Sequence, residues 1–194
     1  LYYTVSTGVG GGIILNGRVF RGVHGQAGEL GHMPVKLDGP SCTCGFRGCV
    51  ESLCSGLAIA RQGMDAISDS RISTLLRERY TEEGTLTAKD VFECAGLGDF
   101  TAIEIIRKVK EAFKSGVVGA INVFDPEIVV VGGGVGLASG FLDGLSASVN
   151  ESLVIPGRRQ IPVVAGSLGD NSVLLGAAAL AWNHYNAAHS IASP

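Results

Sequence analysis

The sequence contains no block of basic residues and no apolar run long enough to span a bilayer. Its 15 Lys and Arg residues are outnumbered by 18 Asp and Glu residues, giving a formal net charge of −3, so it offers no basic surface to neutralise a nucleic-acid backbone. The apolar runs at residues 128–131 and 177–181 fall far short of the roughly 20 residues of a membrane helix. Residues 1–12 lack the basic start and the cleavage site of a signal peptide. We therefore expect no nucleic-acid partner through this chain, no membrane segment and a cytoplasmic location.

A disulfide framework is equally unexpected. The five cysteines form an odd set, and such usage is typical of a reducing compartment. With 46% hydrophobic residues among 194, the chain can bury a sizeable core. No internal repeat or linker divides it, so we expect either one large domain or one lobe of a larger assembly.

Three cysteines and a histidine are concentrated in residues 28–51. Cys42, Cys44 and Cys49 lie in a C-x-C-G-x-x-G-C loop, whose glycines permit sharp turns, and His32 precedes them. A Cys₃His set is a standard closed tetrahedral zinc site, and closure favours a structural metal because a catalytic zinc keeps one position open for water. Buried thiols, a disulfide pair and an iron–sulfur cluster are the alternatives, but the spacing and the histidine favour zinc.

Two glycine-rich segments are candidate ligand sites. Residues 6–12 read STGVGGG, which predicts a turn between strands whose backbone N–H groups are open to a phosphate. A glycine-rich hairpin without a ligand explains the first segment equally well. Residues 132–134 are all glycine and follow an apolar strand, and ligands of open α/β sheets bind at such strand ends.

The hydrophobic pattern predicts a mixed α/β fold. A three-stranded meander is predicted at residues 2–6, 13–15 and 19–20, with a turn at Asn16 and Gly17. Further strands are predicted at residues 32–37, 127–131 and 161–165, and the strand at 127–131 is expected to be buried on both faces. Helices are predicted from residue 49 with a break at residues 55–56, and at residues 72–79, 87–95 with a capping box at Thr87, 100–123, 137–153 and 173–185.

Four of these segments together resemble the ROK family of repressors, open reading frames and sugar kinases. They are STGVGGGII at residues 6–14, GELGH at 28–32, CTCGFRGCVE at 42–51 and VVVGGGV at 129–135. The resemblance extends over residues 3–181, and the cysteine loop with GELGH is its most specific part. It implies an actin-like (ribonuclease H-like) ATPase lobe, a mixed sheet flanked by helices with an inserted zinc loop. Residues 1–194 would form one C-terminal lobe of such a kinase.

The resemblance also implies roles for particular residues. His32, Cys42, Cys44 and Cys49 match zinc ligands, and Glu29, His32 and Glu51 match residues that bind sugar hydroxyls, so residues 28–51 would be a combined zinc and sugar subsite. The implied nucleotide contacts are Ser6, Thr7, Gly8, Gly10, Gly11, Gly12, Gly132, Gly133 and Gly134. Carboxylates suit hydroxyl recognition because they only accept hydrogen bonds. Without the neighbouring zinc ligands, Glu29 would be interpreted as a solvated charge and Glu51 as a helix-start charge.

The function implied is that of an ATP-dependent, glucokinase-like hexose kinase that uses ATP with Mg²⁺, carries a structural Zn²⁺ and forms dimers or tetramers. The D-x-G-x-T motif and the Asn-Asp general-base pair of such kinases do not occur in the chain. We therefore assign no catalytic residue and expect the chain alone to be inactive. The effector-binding part of a sugar-responsive repressor is the alternative, and a purely structural zinc module is a third hypothesis. The last helix is expected to expose Leu174, Leu175, Ala178 and Trp182.

Overall fold

The computed structural model describes residues 1–153 and 160–189. The strands are β1 (Tyr2–Val5), β2 (Val9–Gly12), β3 (Ile14–Leu15), β4 (Arg18–Val19), β5 (Val129–Gly132) and β6 (Val163–Ala165). The helices are α1 (Val50–Cys54), α2 (Gly56–Ser68), α3 (Leu75–Glu83), α4 (Ala88–Gly96), α5 (Phe100–Phe124), α6 (Leu145–Glu151) and α7 (Ser172–His189). This confirms the predicted α/β class. No helix in the described ranges combines the length and apolarity needed to cross a bilayer.

The main sheet is mixed and has the strand order β2-β1-β5-β6. Strand β1 pairs with β2 antiparallel and with β5 parallel, and β5 also pairs parallel with β6. In the β1–β5 pair, Thr4 lies opposite Gly132. Because parallel strands end at the same edge of a sheet, this register brings the segments after β1 and β5 side by side.

The core lies between one face of the sheet and the long helix α5. Tyr3 and Phe113 are fully buried, and their rings meet edge to face with centroids 5.3 Å apart. Helix α5 forms because its apolar residues recur every three or four positions and because the Asp99 side chain accepts a hydrogen bond from the Ala102 N–H. It ends at Asp125, which has a positive φ and precedes a proline. The predicted helix at residues 100–123 is thus confirmed.

The opposite face of the sheet differs from the prediction. The strand at residues 127–131 was expected to be buried on both faces, but Val130 is only half-buried and Ile128 is 40% exposed. Within the described residues this face lines an open cavity of about 990 Å³ rather than packing against a helix layer. The apolar sequence of β5 therefore reflects one packed face and one face available for a further contact.

The predicted three-stranded meander is also corrected. Strand β2 begins at Val9, so the first turn spans only residues 6–8 and the following glycines pair with β1. Strands β3 and β4 form a separate two-stranded sheet. Their connection at Asn16 and Gly17 has positive φ at both positions, as predicted from this dipeptide.

Two other predicted elements are shorter or absent. The strand predicted at residues 32–37 is replaced by a 3-10 turn, Leu30–His32, and by a single bridge between Pro34 and Cys49. The helix predicted at residues 137–153 is reduced to α6, because Gly140 and Gly144 adopt positive φ and interrupt the apolar periodicity.

Candidate functional site

The three loop cysteines and His32 converge on one point. Their potential ligand atoms all lie within 4.8 Å of one another. The Nδ1 atom of His32 is 3.5 Å from Cys42 Sγ, and the Sγ atoms of Cys44 and Cys49 are 3.7 Å apart. A tetrahedral zinc ion would place two thiolate sulfurs about 3.8 Å apart and a sulfur and an imidazole nitrogen about 3.6 Å apart. The donor set and its spacing therefore fit a closed zinc site.

Local hydrogen bonds shape the loop that carries these ligands. The Cys42 N–H donates to the Phe46 carbonyl at 2.8 Å, and the Gly45 N–H donates to the Cys42 carbonyl at 3.1 Å. Gly45 and Gly48 both have positive φ, which confirms the sharp turns expected from their spacing. The loop returns to the start of α1 at Cys49.

The other two cysteines have a different environment. All five cysteines are free thiols, but Cys54 and Cys94 are buried in the core. Burial raises the pKa of both thiols, and neighbouring Asp99 adds to the effect on Cys94. The thiol of Cys54 donates to the Val109 carbonyl at 3.3 Å. These two cysteines are packing residues and lie apart from the Cys₃His cluster.

Glu29 and Glu51 lie on either side of His32. The Nε2 atom of His32 is 3.8 Å from Glu29 Oε2, and its Nδ1 atom is 3.9 Å from Glu51 Oε1. The Glu29 side chain is 71% exposed, whereas that of Glu51 is 24% exposed. The three side chains predicted to hold a sugar are thus grouped at a half-open surface. His32 has its Nε2 atom toward Glu29 and its Nδ1 atom toward Cys42.

A glycine in the GELGH segment contributes to this arrangement in a way that sequence inspection missed. A Cβ atom on Gly31 would collide with the Val9 carbonyl. The 3-10 turn that carries His32 therefore lies directly on β2, and no larger residue fits between them. Only the long-range contact identifies this role.

The first glycine segment forms a turn seated on the start of α2. The carbonyl of Ser6 accepts the Gly56 N–H at 2.7 Å, and the carbonyl of Thr7 accepts the Leu57 N–H at 3.5 Å. The N–H groups of Thr7 and Gly8 have no hydrogen-bond partner within the described residues. Because the carbonyls of Ser6 and Thr7 are bonded to α2, the N–H groups of Thr7 and Gly8 remain available to bind an anion.

The other glycines of that segment occupy different surroundings. Gly10, Gly11 and Gly12 belong to β2. Gly11 approaches the Gly28 carbonyl, and Gly12 lines the cavity on the open face of the sheet. The structure therefore brings Ser6, Thr7 and Gly8 together as one turn and places the three following glycines in the adjoining strand.

The second glycine segment lies against the end of β1. The Val5 carbonyl accepts hydrogen bonds from the N–H groups of Val135 and Gly136, both at 3.0 Å. Gly133 has a φ of +85°, and a Cβ atom there would collide with the same carbonyl. Gly132 is the last residue of β5, and Gly134 lies within the turn that follows it.

A cavity of about 960 Å³ joins the two turns, within the upper range of small-molecule sites. Its lining residues are Ser6, Thr7, Gly56, Leu57, Ala60, Thr85, Leu86, Thr87, Ala88, Lys89, Phe92, Glu93, Gly96, Gly134, Val135, Ala138 and Ser139. The sequence predicted the glycine turns but not the wall at residues 85–93, because α4 carries no ligand motif and reaches the cavity only through tertiary packing.

Comparison with known proteins places this geometry in context. The profile described as "ROK family" matches residues 1–184. A glucokinase of Thermotoga maritima is 35% identical over 178 residues, covering 91% of this chain and 56% of that protein. An N-acetylmannosamine kinase of Vibrio cholerae is 37% identical over 177 residues, covering 91% of this chain and 55% of that protein. The chain thus spans about half the length of the curated relatives it matches.

A solved structure gives the same picture of the fold. The ROK family glucokinase from Streptomyces griseus, in complex with glucose and AMPPNP, superposes with a TM-score of 0.79 at 33% identity. The match covers 92% of this chain and 59% of that chain. The similarity therefore extends over most of this chain.

Proposed function

Because this chain belongs to the ROK family, we propose that it is the C-terminal lobe of an actin-like, ATP-dependent hexose kinase. One observation carries the proposal: the turn at residues 6–8 borders the 960 Å³ cavity on one side, and on the other the next residue, Val9, donates a hydrogen bond to Glu51, beside the Cys₃His cluster. A nucleotide in the cavity and a sugar at the carboxylates would then meet at this turn.

The residues suit the chemistry of phosphoryl transfer. The N–H groups of Thr7 and Gly8 would bind phosphate oxygens, and the cavity beyond Gly134 would hold the adenosine. Glu29, His32 and Glu51 would orient the hexose hydroxyls. Mg²⁺ bound with ATP would neutralise phosphate charge. We assign no general base to residues 1–194, so proton acceptance from the hydroxyl is not among the roles proposed for this chain.

We also propose that the Cys₃His cluster holds a structural Zn²⁺. The four donors leave no position for a substrate, and the loop they close carries Cys49, two residues before Glu51. The metal would therefore fix the start of α1 and the direction of the Glu51 side chain. Assembly as a dimer or tetramer in the cytoplasm remains part of the proposal.

The direct test uses the full-length gene product with ATP, Mg²⁺ and either glucose or N-acetylmannosamine. We expect transfer of the γ-phosphoryl group to one of these sugars, detected by coupled ADP release and by mass spectrometry of the sugar. The 194-residue chain alone should show no turnover. Hexose binding without AMPPNP binding or turnover would instead support the repressor hypothesis, and zinc binding with neither ligand would support a structural module.

A further inference from the structure

Glu51 makes a contact that its predicted role in sugar binding does not require. Its Oε2 atom accepts a hydrogen bond from the Val9 N–H at 3.0 Å. Val9 is the first residue of β2 and closes the turn at residues 6–8. One oxygen of this carboxylate is therefore used by the backbone of the proposed phosphate turn, while Oε1 is the atom nearest His32.

The turn is held at its two ends by two consecutive helices, α2 and α1. At its start, the Ser6 carbonyl accepts the Gly56 N–H of α2. At its end, Val9 donates to Glu51 of α1. The two helices are joined at Ser55, whose N–H donates to the Glu51 carbonyl at 3.1 Å and whose side chain accepts the Ala58 N–H. Movement of α1 would therefore act on the turn directly.

Steric contact reinforces the hydrogen bond. A Cβ atom on Gly8 would lie 2.8 Å from Glu51 Oε2, so the carboxylate lies too close to the turn for any side chain at this position. A carboxylate that accepts a backbone N–H makes a charge-assisted hydrogen bond, which is stronger than a neutral one. A change in the orientation of Glu51 cannot leave the turn unaffected.

We propose that Glu51 is a positioning residue for the phosphate turn and that it couples the hexose subsite to the nucleotide cavity. The inference rests on the proposed kinase function and adds to it. A sugar hydroxyl bound at Oε1 would fix the carboxylate, which in turn fixes Val9 and the donors of Thr7 and Gly8. Hexose binding then increases affinity for ATP, and by reciprocity ATP increases affinity for hexose.

Three substitutions in the full-length gene product separate this role from simple sugar contact. Glu51→Ala removes the acceptor for Val9. Glu51→Gln keeps a side-chain oxygen that can accept the same N–H but removes the charge. Glu29→Ala is the matched control, because Glu29 is on the other side of His32 and its side chain is 71% exposed.

The experiment measures AMPPNP affinity by titration calorimetry, with and without saturating glucose or N-acetylmannosamine. We expect Glu51→Ala to weaken AMPPNP binding about tenfold, the scale of one charge-assisted hydrogen bond, and to abolish the gain produced by sugar. Glu51→Gln should restore part of the AMPPNP affinity, because a neutral oxygen accepts the same N–H less strongly, and Glu29→Ala should weaken sugar binding alone. Equal AMPPNP affinity in wild type and Glu51→Ala, or no recovery in Glu51→Gln, overturns the proposal.

A second measurement reads the hydrogen bond itself. Hydrogen exchange at the Val9 amide, followed in the same zinc-loaded variants, should accelerate in Glu51→Ala and stay slow in Glu51→Gln and Glu29→Ala. Unchanged protection in Glu51→Ala also overturns the positioning role. If the wild type binds neither AMPPNP nor a sugar, the proposed function fails and the coupling fails with it; AMPPNP binding that is insensitive to Glu51 refutes the coupling only.

Discussion

The Sγ atoms of Cys44 and Cys49 lie 3.7 Å apart, well beyond the roughly 2.05 Å of a disulfide bond. The separation is that of two thiolates sharing a tetrahedral ion. Cys49 is also the residue that precedes α1, so the proposed metal would connect the cysteine loop to the helix that carries Glu51.

Chelation of the metal is expected to divide the cysteines into two groups. Removing zinc from the 194-residue chain should make Cys42 and Cys44 reactive toward a thiol reagent, because neither is buried. Cys49, Cys54 and Cys94 should react only after unfolding, because all three are buried, and the raised pKa values of Cys54 and Cys94 further disfavour the thiolate. Thiol titration before chelation, after chelation and in denaturant checks this.

Zinc content supplies the control for that experiment. Cys44→Ser should lose the roughly one zinc per chain expected of a four-ligand site, whereas Cys94→Ala should retain it despite lower stability. Metal-free protein with an unchanged melting temperature would contradict the structural role.

Gly133→Ala is expected to damage the proposed nucleotide cavity. The position has a φ of +85°, and the added methyl group would collide with the Val5 carbonyl that orders the turn after β5. Gly140→Ala is a matched control with a φ of +83° and open space around the Cβ position. Gly140→Ala should lower stability by about 1–2 kcal/mol through backbone strain, and Gly133→Ala should lower it by more because of the added collision.

Only Gly133→Ala should also weaken AMPPNP binding, by about tenfold or more if one turn of the site is displaced. Calorimetry on the two full-length variants distinguishes these outcomes. Similar affinities for both would place the nucleotide elsewhere.

Thr87 should stabilise α4, which forms one wall of that cavity. The Asp90 carboxylate accepts the Thr87 N–H at 2.7 Å and its hydroxyl at 2.6 Å, completing the predicted capping box. Burial of Asp90 opposes ionisation, but the hydrogen bonds from Thr87 outweigh it and lower the Asp90 pKa. Thr87→Ala should therefore cost about 1 kcal/mol at neutral pH, and Thr87→Ser much less.

The sign of the pH dependence follows from that lowered pKa. The stabilisation is complete above the ordinary Asp pKa of about 3.9 and is lost as pH falls through the lower value of the folded state. Urea unfolding at pH 7 and below about pH 3 gives the free energy of unfolding of wild type and of Thr87→Ala. The difference between these two free energies should be smaller in acid. A stability difference that grows in acid would contradict the lowered pKa of Asp90.

The last helix should promote self-association of the 194-residue chain. Leu174 and Trp182 are 70% and 64% exposed, and Leu175 and Ala178 are exposed as well, which confirms the predicted apolar surface on α7. Sedimentation should reveal concentration-dependent association that Leu174→Glu reduces.

Two comparisons sharpen this prediction. Phe100→Glu removes an equally exposed side chain on α5, 76% exposed, and should leave the association unchanged. Trp182 is the only tryptophan, so its emission should move to shorter wavelength as concentration rises. A strictly monomeric chain at all concentrations would exclude α7 as a contact surface.

The sequence by itself determined features that depend on neighbouring residues. The spacing of apolar residues predicted α5, the Thr87–Asp90 pair predicted the start of α4, and Asn16 with Gly17 predicted the β3–β4 turn. The ligand types also identified the Cys₃His cluster that the structure brings together. In each case the interacting groups lie close in the chain or are chemically distinctive.

Tertiary structure decided what local patterns could not. Gly10 and its neighbours are a strand because β1 supplies hydrogen-bond partners, although their composition predicts a turn. The segment after Leu30 is a 3-10 turn because Gly31 lies on the Val9 carbonyl. The wall of the cavity at residues 85–93 and the hydrogen bond from Val9 to Glu51 join segments far apart in sequence. Such contacts exist only after packing fixes the distance between elements, so residue type and periodicity carry no local signal of them.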